Sequence, residues 1–156
     1  MTDTVTRSIN HAQFTIEREV PVAPAVVFQA FADPAVKAKW FGGEEGWEQG
    51  EVSVDFEVGG REINEGTFHE VTSHFVATYT DIVVNERLVY TYDMWLNGSH
   101  ISTSVATWEF EPTTTGTKLT LVEFGAHLDG FDTGAQREEG TLGLVDALVN
   151  YLVSQA

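Results

Sequence analysis

Between Phe14 and Val20 apolar and polar residues alternate, the period of a strand with one buried face. The pattern then changes. Val26, Val27, Ala30 and Phe31 recur at helical spacing behind Pro24, whose missing N–H costs nothing in a first helical turn. Asp33-Pro34 breaks that helix and starts another, with Asp33 as cap and Pro34 in the first position, and Trp40-Phe41-Gly42-Gly43 ends it. Further strands read as Glu51 to Glu57 and Arg61 to Glu70, joined at a Gly59-Gly60 hairpin turn, followed by His74 to Val84 and Arg87 to Leu96 around Asn85-Glu86. Next come His100 to Glu111, after the strong hairpin signal Asn97-Gly98, and Thr117 to Phe124. From about Thr133 a long helix carries Leu142, Val145, Leu148, Val149 and Leu152 on one face, widened by Leu144 and Tyr151. Gly140 and Gly143 weaken it locally; on the packed side they would let backbone approach the sheet closely. The order of elements predicts an α+β fold, a curved antiparallel sheet of six to seven strands around a long C-terminal helix, with two short helices closing one end.

Alternation also sorts the aromatic residues. Leu88, Tyr90, Tyr92, Met94 and Leu96 share one face of their strand, and a two-residue Asn85-Glu86 turn sets Tyr79 opposite Tyr92. That face is expected to be concave, with Trp40, Phe41 and Phe56 at the mouth of a cavity. The alternative is that all these rings fill core, although a buried phenol needs a partner that a ligand can supply. One conflict stands out. A two-residue Asn97-Gly98 turn pairs Met94 with Ile101 and turns Trp108 and Phe110 to the convex face, so either a bulge resets the register or those rings cover a subunit interface of a homodimer.

The chain has 156 residues, enough for one domain (residues 1–156, core 14–153) with a core and an internal cavity. Its formal charge of −16, from 24 acidic against 8 basic side chains, repels phosphate backbones and anionic lipids, so neither nucleic acid nor a membrane surface is an expected partner. A saline or acidic habitat accounts for such a charge without any substrate. The absence of cysteine removes disulfides, thiolate metal sites and Cys nucleophiles. Met1 to Ala12 lacks an apolar run of signal-peptide length and no later stretch approaches a membrane span, which makes the cytoplasm the expected location.

Candidate chemistry is sparse. The five His (His11, His69, His74, His100, His127) show no metal-binding spacing, and Ser102-Thr103-Ser104 lacks a nucleophile elbow, so no metal and no cofactor is expected. His69 or His74 can act as a base only if it points into the cavity. The acidic run Glu44, Glu45, Glu48, Glu51, Asp55, Glu57, Glu62, Glu65, Glu70 lacks calcium-loop spacing and reads as a solvated face. Glu123 differs, because it interrupts the apolar series Leu119, Leu121. In an apolar cavity its pKa would rise, suiting it to anchor the polar end of a ligand or to move a proton; at a sheet edge it would simply reach water.

Four segments in order, PVAPAVVFQAFADPAVKAKWFGGEEGW, DFEVGGRE, VVNERLVYTYDM and TGTKLTLVEFGAHLDG, together with the Gly140-Thr-Leu-Gly-Leu helix, resemble the activator-of-heat-shock-ATPase-like group of the START/SRPBCC superfamily, which includes the birch-pollen-allergen-like proteins. The resemblance runs from about Phe14 to Leu152. It implies a helix-grip fold with a hydrophobic cavity between sheet and terminal helix, in a superfamily of small-hydrophobe binders, cyclase-like enzymes and co-chaperone domains. Relatives commonly carry a basic residue where Glu57 stands, so an anion contact made there in relatives does not transfer. The expected function is binding of a small hydrophobic, aromatic ligand by Trp40, Phe41, Phe56, Tyr79, Tyr90, Tyr92, Met94 and Glu123. The alternatives are a cyclase or dehydratase acting on a polyketide-like substrate and a chaperone-interacting module.

Overall fold

The computed structural model describes residues 6–42 and 45–156. Gly43, read above as part of the helix stop, and Glu44, the first of the acidic run, lie outside the described residues, as do the first five positions of the N-terminal segment. The elements follow the expected order: β1 (Ile9–Val20), α1 (Pro24–Ala32), α2 (Pro34–Lys37), β2 (Glu48–Val54), β3 (Arg61–Phe68), β4 (Val71–Val83), β5 (Arg87–Leu96), β6 (Ser99–Pro112), β7 (Thr117–Leu128) and α3 (Gly134–Ser154). The strands form one antiparallel seven-stranded sheet in the order β1-β7-β6-β5-β4-β3-β2. Only β1 joins out of sequence, pairing with β7 at one edge of the sheet, while the short helices lead from β1 to β2 at the other edge.

Local signals fix these boundaries. The Asp33 side chain accepts from the Ala35 N–H at 3.0 Å, capping α2, and Pro34 takes the first position. Thr133 opens α3 with a capping box, its hydroxyl accepting from the Gln136 N–H at 3.1 Å while the Gln136 side chain accepts from the Thr133 N–H at 3.1 Å. Asn97 and Gly98 both take positive φ, the backbone of a two-residue hairpin turn.

Two registers differ from the sequence reading, and a bulge contributes to each. The loop between β4 and β5 is one residue longer than expected, since Val83 pairs with Arg87, and a bulge at Thr80 then places Tyr79 opposite Tyr90 and Ala77 opposite Tyr92. In the next hairpin Trp95 pairs with His100 while Met94 pairs with Ser102, leaving Ile101 as the extra residue. Because side chains alternate strictly, that one insertion carries Trp108 and Phe110 to the concave face, where they are buried at 1% and 3% exposure. They therefore no longer point to a subunit interface.

The core lies between the concave face and the helices. Phe31 of α1 packs against Trp40, Trp108 and Phe110 at centroid distances of 5.1, 4.9 and 5.5 Å, while Val145, Leu148 and Leu152 of α3 are fully sequestered. Gly140 and Gly143 do not bring backbone close to the sheet: a Cβ at either would meet open space. The close approach falls at Gly134, where a Cβ would collide with Ala12 of β1.

Candidate functional site

Strands β5, β6 and β7 present Tyr90, Tyr92, Met94, Trp108, Leu121 and Glu123 toward the first half of α3, and the two surfaces stay apart there. The helix turns Arg137, Gly140, Thr141 and Leu144 to the gap, and Phe41, Gly42 and Trp47 border it from the segment after α2. The result is a cavity of about 310 Å³ lined chiefly by aromatic and aliphatic side chains.

Of the eight residues the sequence singled out, five line this cavity: Phe41, Tyr90, Tyr92, Met94 and Glu123. The other three lie elsewhere. Trp40 turns inward beneath α1, its indole N–H donating to the Ala30 carbonyl at 2.9 Å. Phe56 packs edge-on against Phe28 and Tyr79, with centroids 5.7 and 4.9 Å away. Tyr79 gives its hydroxyl to Glu62, so its need for a buried partner is met by the protein. A single step along the chain separates Trp40 from Phe41 in the turn that follows α2, and it sends one ring to the core and the next to the cavity.

One end of the cavity is polar. Tyr92 donates to Glu123 Oε2 at 2.8 Å and accepts from Arg137 Nη1 at 2.9 Å. Arg137 also donates to Ser102 Oγ at 2.7 Å and Ser104 Oγ at 3.4 Å, and its Nη2 lies 2.9 Å from Asp132 Oδ2. Behind them stands His127, nearly inaccessible, with Nδ1 at 3.8 Å from Asp132 and without a hydrogen-bond partner among the described residues. Burial raises the Glu123 carboxyl to about 7, against the opposing pull of the Tyr92 hydrogen bond and the Arg137 charge. It also raises the Tyr92 phenol, helped by the Glu123 charge. The His127 imidazole is lowered by burial and then by Arg137, so it stays neutral. Glu123 is thus poised to hold or release a proton near neutral pH, against a phenol that stays protonated.

A second polar cluster lies behind the aromatic wall. Lys37 Nζ meets Glu62 Oε1 at 2.5 Å and Tyr79 Oη at 3.4 Å, and all three side chains are buried. Its Nζ also sits 4.6 Å from the centre of the Phe41 ring. Burial lowers the lysine pKa despite the countering Glu62 charge. Glu62 is therefore a correction to the sequence reading, which placed it on a solvated acidic face; its lysine is too distant in sequence for any charge pattern to announce the pair. Arg137, Asp132 and His127 were also missed as site residues, although Arg137 shares a helical stripe with Thr141, Val145, Leu148 and Leu152, a signal that could have placed it facing the sheet. Among the described residues no cluster of His, Asp and Glu is arranged to hold a metal ion, and no described helix is long and apolar enough to cross a membrane.

Comparison with known proteins places this geometry. A protein of known structure from Rhizobium loti is 40% identical, with a TM-score of 0.86 over 93% of this chain and 99% of that one. A putative uncharacterized protein from Rhizobium leguminosarum is 35% identical, with a TM-score of 0.90 over 94% of this chain and 97% of that one. An AHSA1-like protein from Aeromonas hydrophila shares the fold at 20% identity, with a TM-score of 0.69 over 92% of this chain and 94% of that one. No curated protein matches the chain. The family model described as "Activator of Hsp90 ATPase homolog 1-like protein" matches residues 21–153, from the turn before α1 to the last turn of α3, and with the helix-grip architecture in place the chain belongs to that family.

Proposed function

We propose that the protein binds a small, largely apolar, aromatic molecule in the cavity between the sheet and α3. The observation that carries this reading is the division of the cavity wall: Phe41, Phe75, Tyr90, Met94 and Trp108 form an apolar body, and Tyr92, Glu123 and Arg137 form one polar end. A wall of that kind orients a ring system and holds one polar substituent. Helix-grip proteins of this kind commonly bind hydrophobic ligands, which supports the same reading. Titration with flavonoid-like and aromatic polyketide-like compounds should give saturable quenching of tryptophan fluorescence, because Trp47 and Trp108 border the cavity. Absence of saturable quenching across a broad set would remove the proposal.

A second reading is an acid/base enzyme of the cyclase or dehydratase type. It is favoured by the Tyr92–Glu123 hydrogen bond of 2.8 Å and by a carboxyl whose pKa lies at about 7, where proton uptake and release are both accessible. Here Glu123 would move the proton while Tyr92 steadies a developing oxyanion. Product formation from a polyketide-like substrate, lost in Glu123→Gln while binding persists, would select it over simple binding.

A further inference from the structure

The polar end of the cavity has a charge imbalance. Both terminal nitrogens of Arg137 are engaged: Asp132 matches its charge at 2.9 Å, and its donors reach Ser102, Ser104 and Tyr92. It is not free to grip an anion. Glu123 then has no cation of its own. Tyr92 occupies Oε2, and among the described residues nothing donates to Oε1 of this cavity-lining carboxyl. The groups that face it are Tyr92 of β5, Arg137 of α3 and Asp132 of the preceding loop, with neutral His127 further along its own strand. An anionic ligand would bring a second negative charge to a buried carboxyl, at a large desolvation cost. A cation would complete the pair.

The apolar wall suits a cation as well. Phe75, Tyr90 and Trp108 line the same cavity, and none of these rings carries a cation from the described residues, unlike Phe41 with Lys37 and Tyr92 with Arg137. Their faces attract positive charge. The formal charge of −16 adds a field that concentrates organic cations and depletes anions around the molecule.

Building on the binding reading above, we propose that the natural ligand carries an amine on its aromatic body and that its ammonium pairs with Glu123 in place of that residue's proton. Atoms balance simply: the bound ammonium enters and the Glu123 proton leaves to solvent. Binding should then tighten as pH rises toward about 7, where the free carboxyl itself ionises, and level off above it.

Three probes of one shape and different charge test this: 2-(1-naphthyl)ethylamine, 2-(1-naphthyl)ethanol and 1-naphthylacetate, each titrated calorimetrically into the full chain. The amine should bind about tenfold tighter than the alcohol near pH 8, the size of one charge-assisted hydrogen bond, and the carboxylate weakest. Titrations near pH 6.5 in phosphate and in ACES, two buffers of different ionisation enthalpy, should differ in heat by the release of a proton on amine binding. In Glu123→Gln, with folding verified by its melting curve, the amine should lose most of its advantage over the alcohol. Equal affinity for amine and alcohol, or amine binding without proton release and without pH dependence, overturns the amine assignment while leaving aromatic binding intact. Carboxylate binding tighter than amine overturns it too. Failure of all three probes also counts against the amine, and the wider flavonoid and polyketide titration then decides separately whether the cavity binds aromatics at all.

Discussion

A carboxyl that alternation alone places among leucines carries both the chemistry and a liability. Glu123 sits at 4% exposure and its pKa is raised from 4.5 to about 7, chiefly by burial. Folding therefore favours the protonated form. The sign follows: between pH of about 4.5 and 7 the folded protein holds a proton that the unfolded chain has released, so stability falls as pH rises through that window and is flat above it. A shift of this size amounts to about 3 kcal/mol. Denaturant melts of the wild type and of Glu123→Gln should diverge across this window, with the variant gaining by about that amount relative to wild type as pH goes from 4.5 to 7. Parallel stability curves would mean that Glu123 titrates normally and reaches water. The sequence reading held both possibilities open, because alternation gives the face of a strand but not the depth of a position along it.

The turn elements show where sequence was enough and where it was not. Gly59-Gly60 reads as a hairpin glycine pair, and the chain does reverse there, but the two glycines serve different needs. Gly59 has φ +87° with open space beyond, whereas Gly60 lies where a Cβ would strike the Asp55 carbonyl oxygen. Around them the loop closes on backbone bonds from Gly60 N to Glu57 O and from Gly59 N to Tyr79 O, both 2.8 Å. A left-handed backbone costs a non-glycine residue about 1 kcal/mol. A collision with fixed backbone costs more. Gly60→Ala should accordingly destabilise by about 3 kcal/mol, and Gly59→Ala by about 1 kcal/mol. The reverse ranking in thermal denaturation would show that the loop yields at Gly60. Hairpin chemistry is legible at Asn97-Gly98 and Gly59-Gly60 since both depend on local backbone freedom. The bulges at Thr80 and Ile101 are not legible, because an inserted residue changes the pairing between strands without a turn residue to mark it, and through the one at Ile101 the faces of Trp108 and Phe110 escaped a reading based on alternation.

At the scale of the whole molecule the architecture was legible because it is written in periodicity, with period-2 strands, a helix pair divided at Asp33-Pro34 and a terminal amphipathic helix that buries its stripe against the concave sheet. The site was legible where a residue's face decides its role, as for Tyr90, Tyr92 and Met94. It was not legible where the role comes from a distant partner, as for Glu62 with Lys37 or Arg137 with Asp132. Net charge is a third kind of property, since it belongs to no element. With 24 acidic side chains against 8 basic ones, the folded state compresses like charges that the unfolded chain can separate. The ion pairs that offset this are few and mostly exposed, such as Arg87–Asp81 and Arg18–Asp146, and pairs of that kind contribute little. Repulsion should therefore dominate, and salt should relieve it as the screening length falls from about 30 Å toward about 10 Å and below. The melting temperature at pH 8 should rise as sodium chloride increases from about 0.01 to 0.5 M, most steeply at the low end where screening changes fastest. Raising the pH from about 5 to 8 at low salt should deepen the dependence, because Glu123 joins the anions over that range. A melting temperature that is flat or falls with sodium chloride would show that the acidic surface is already locally compensated, and that the charge excess places no stress on the fold.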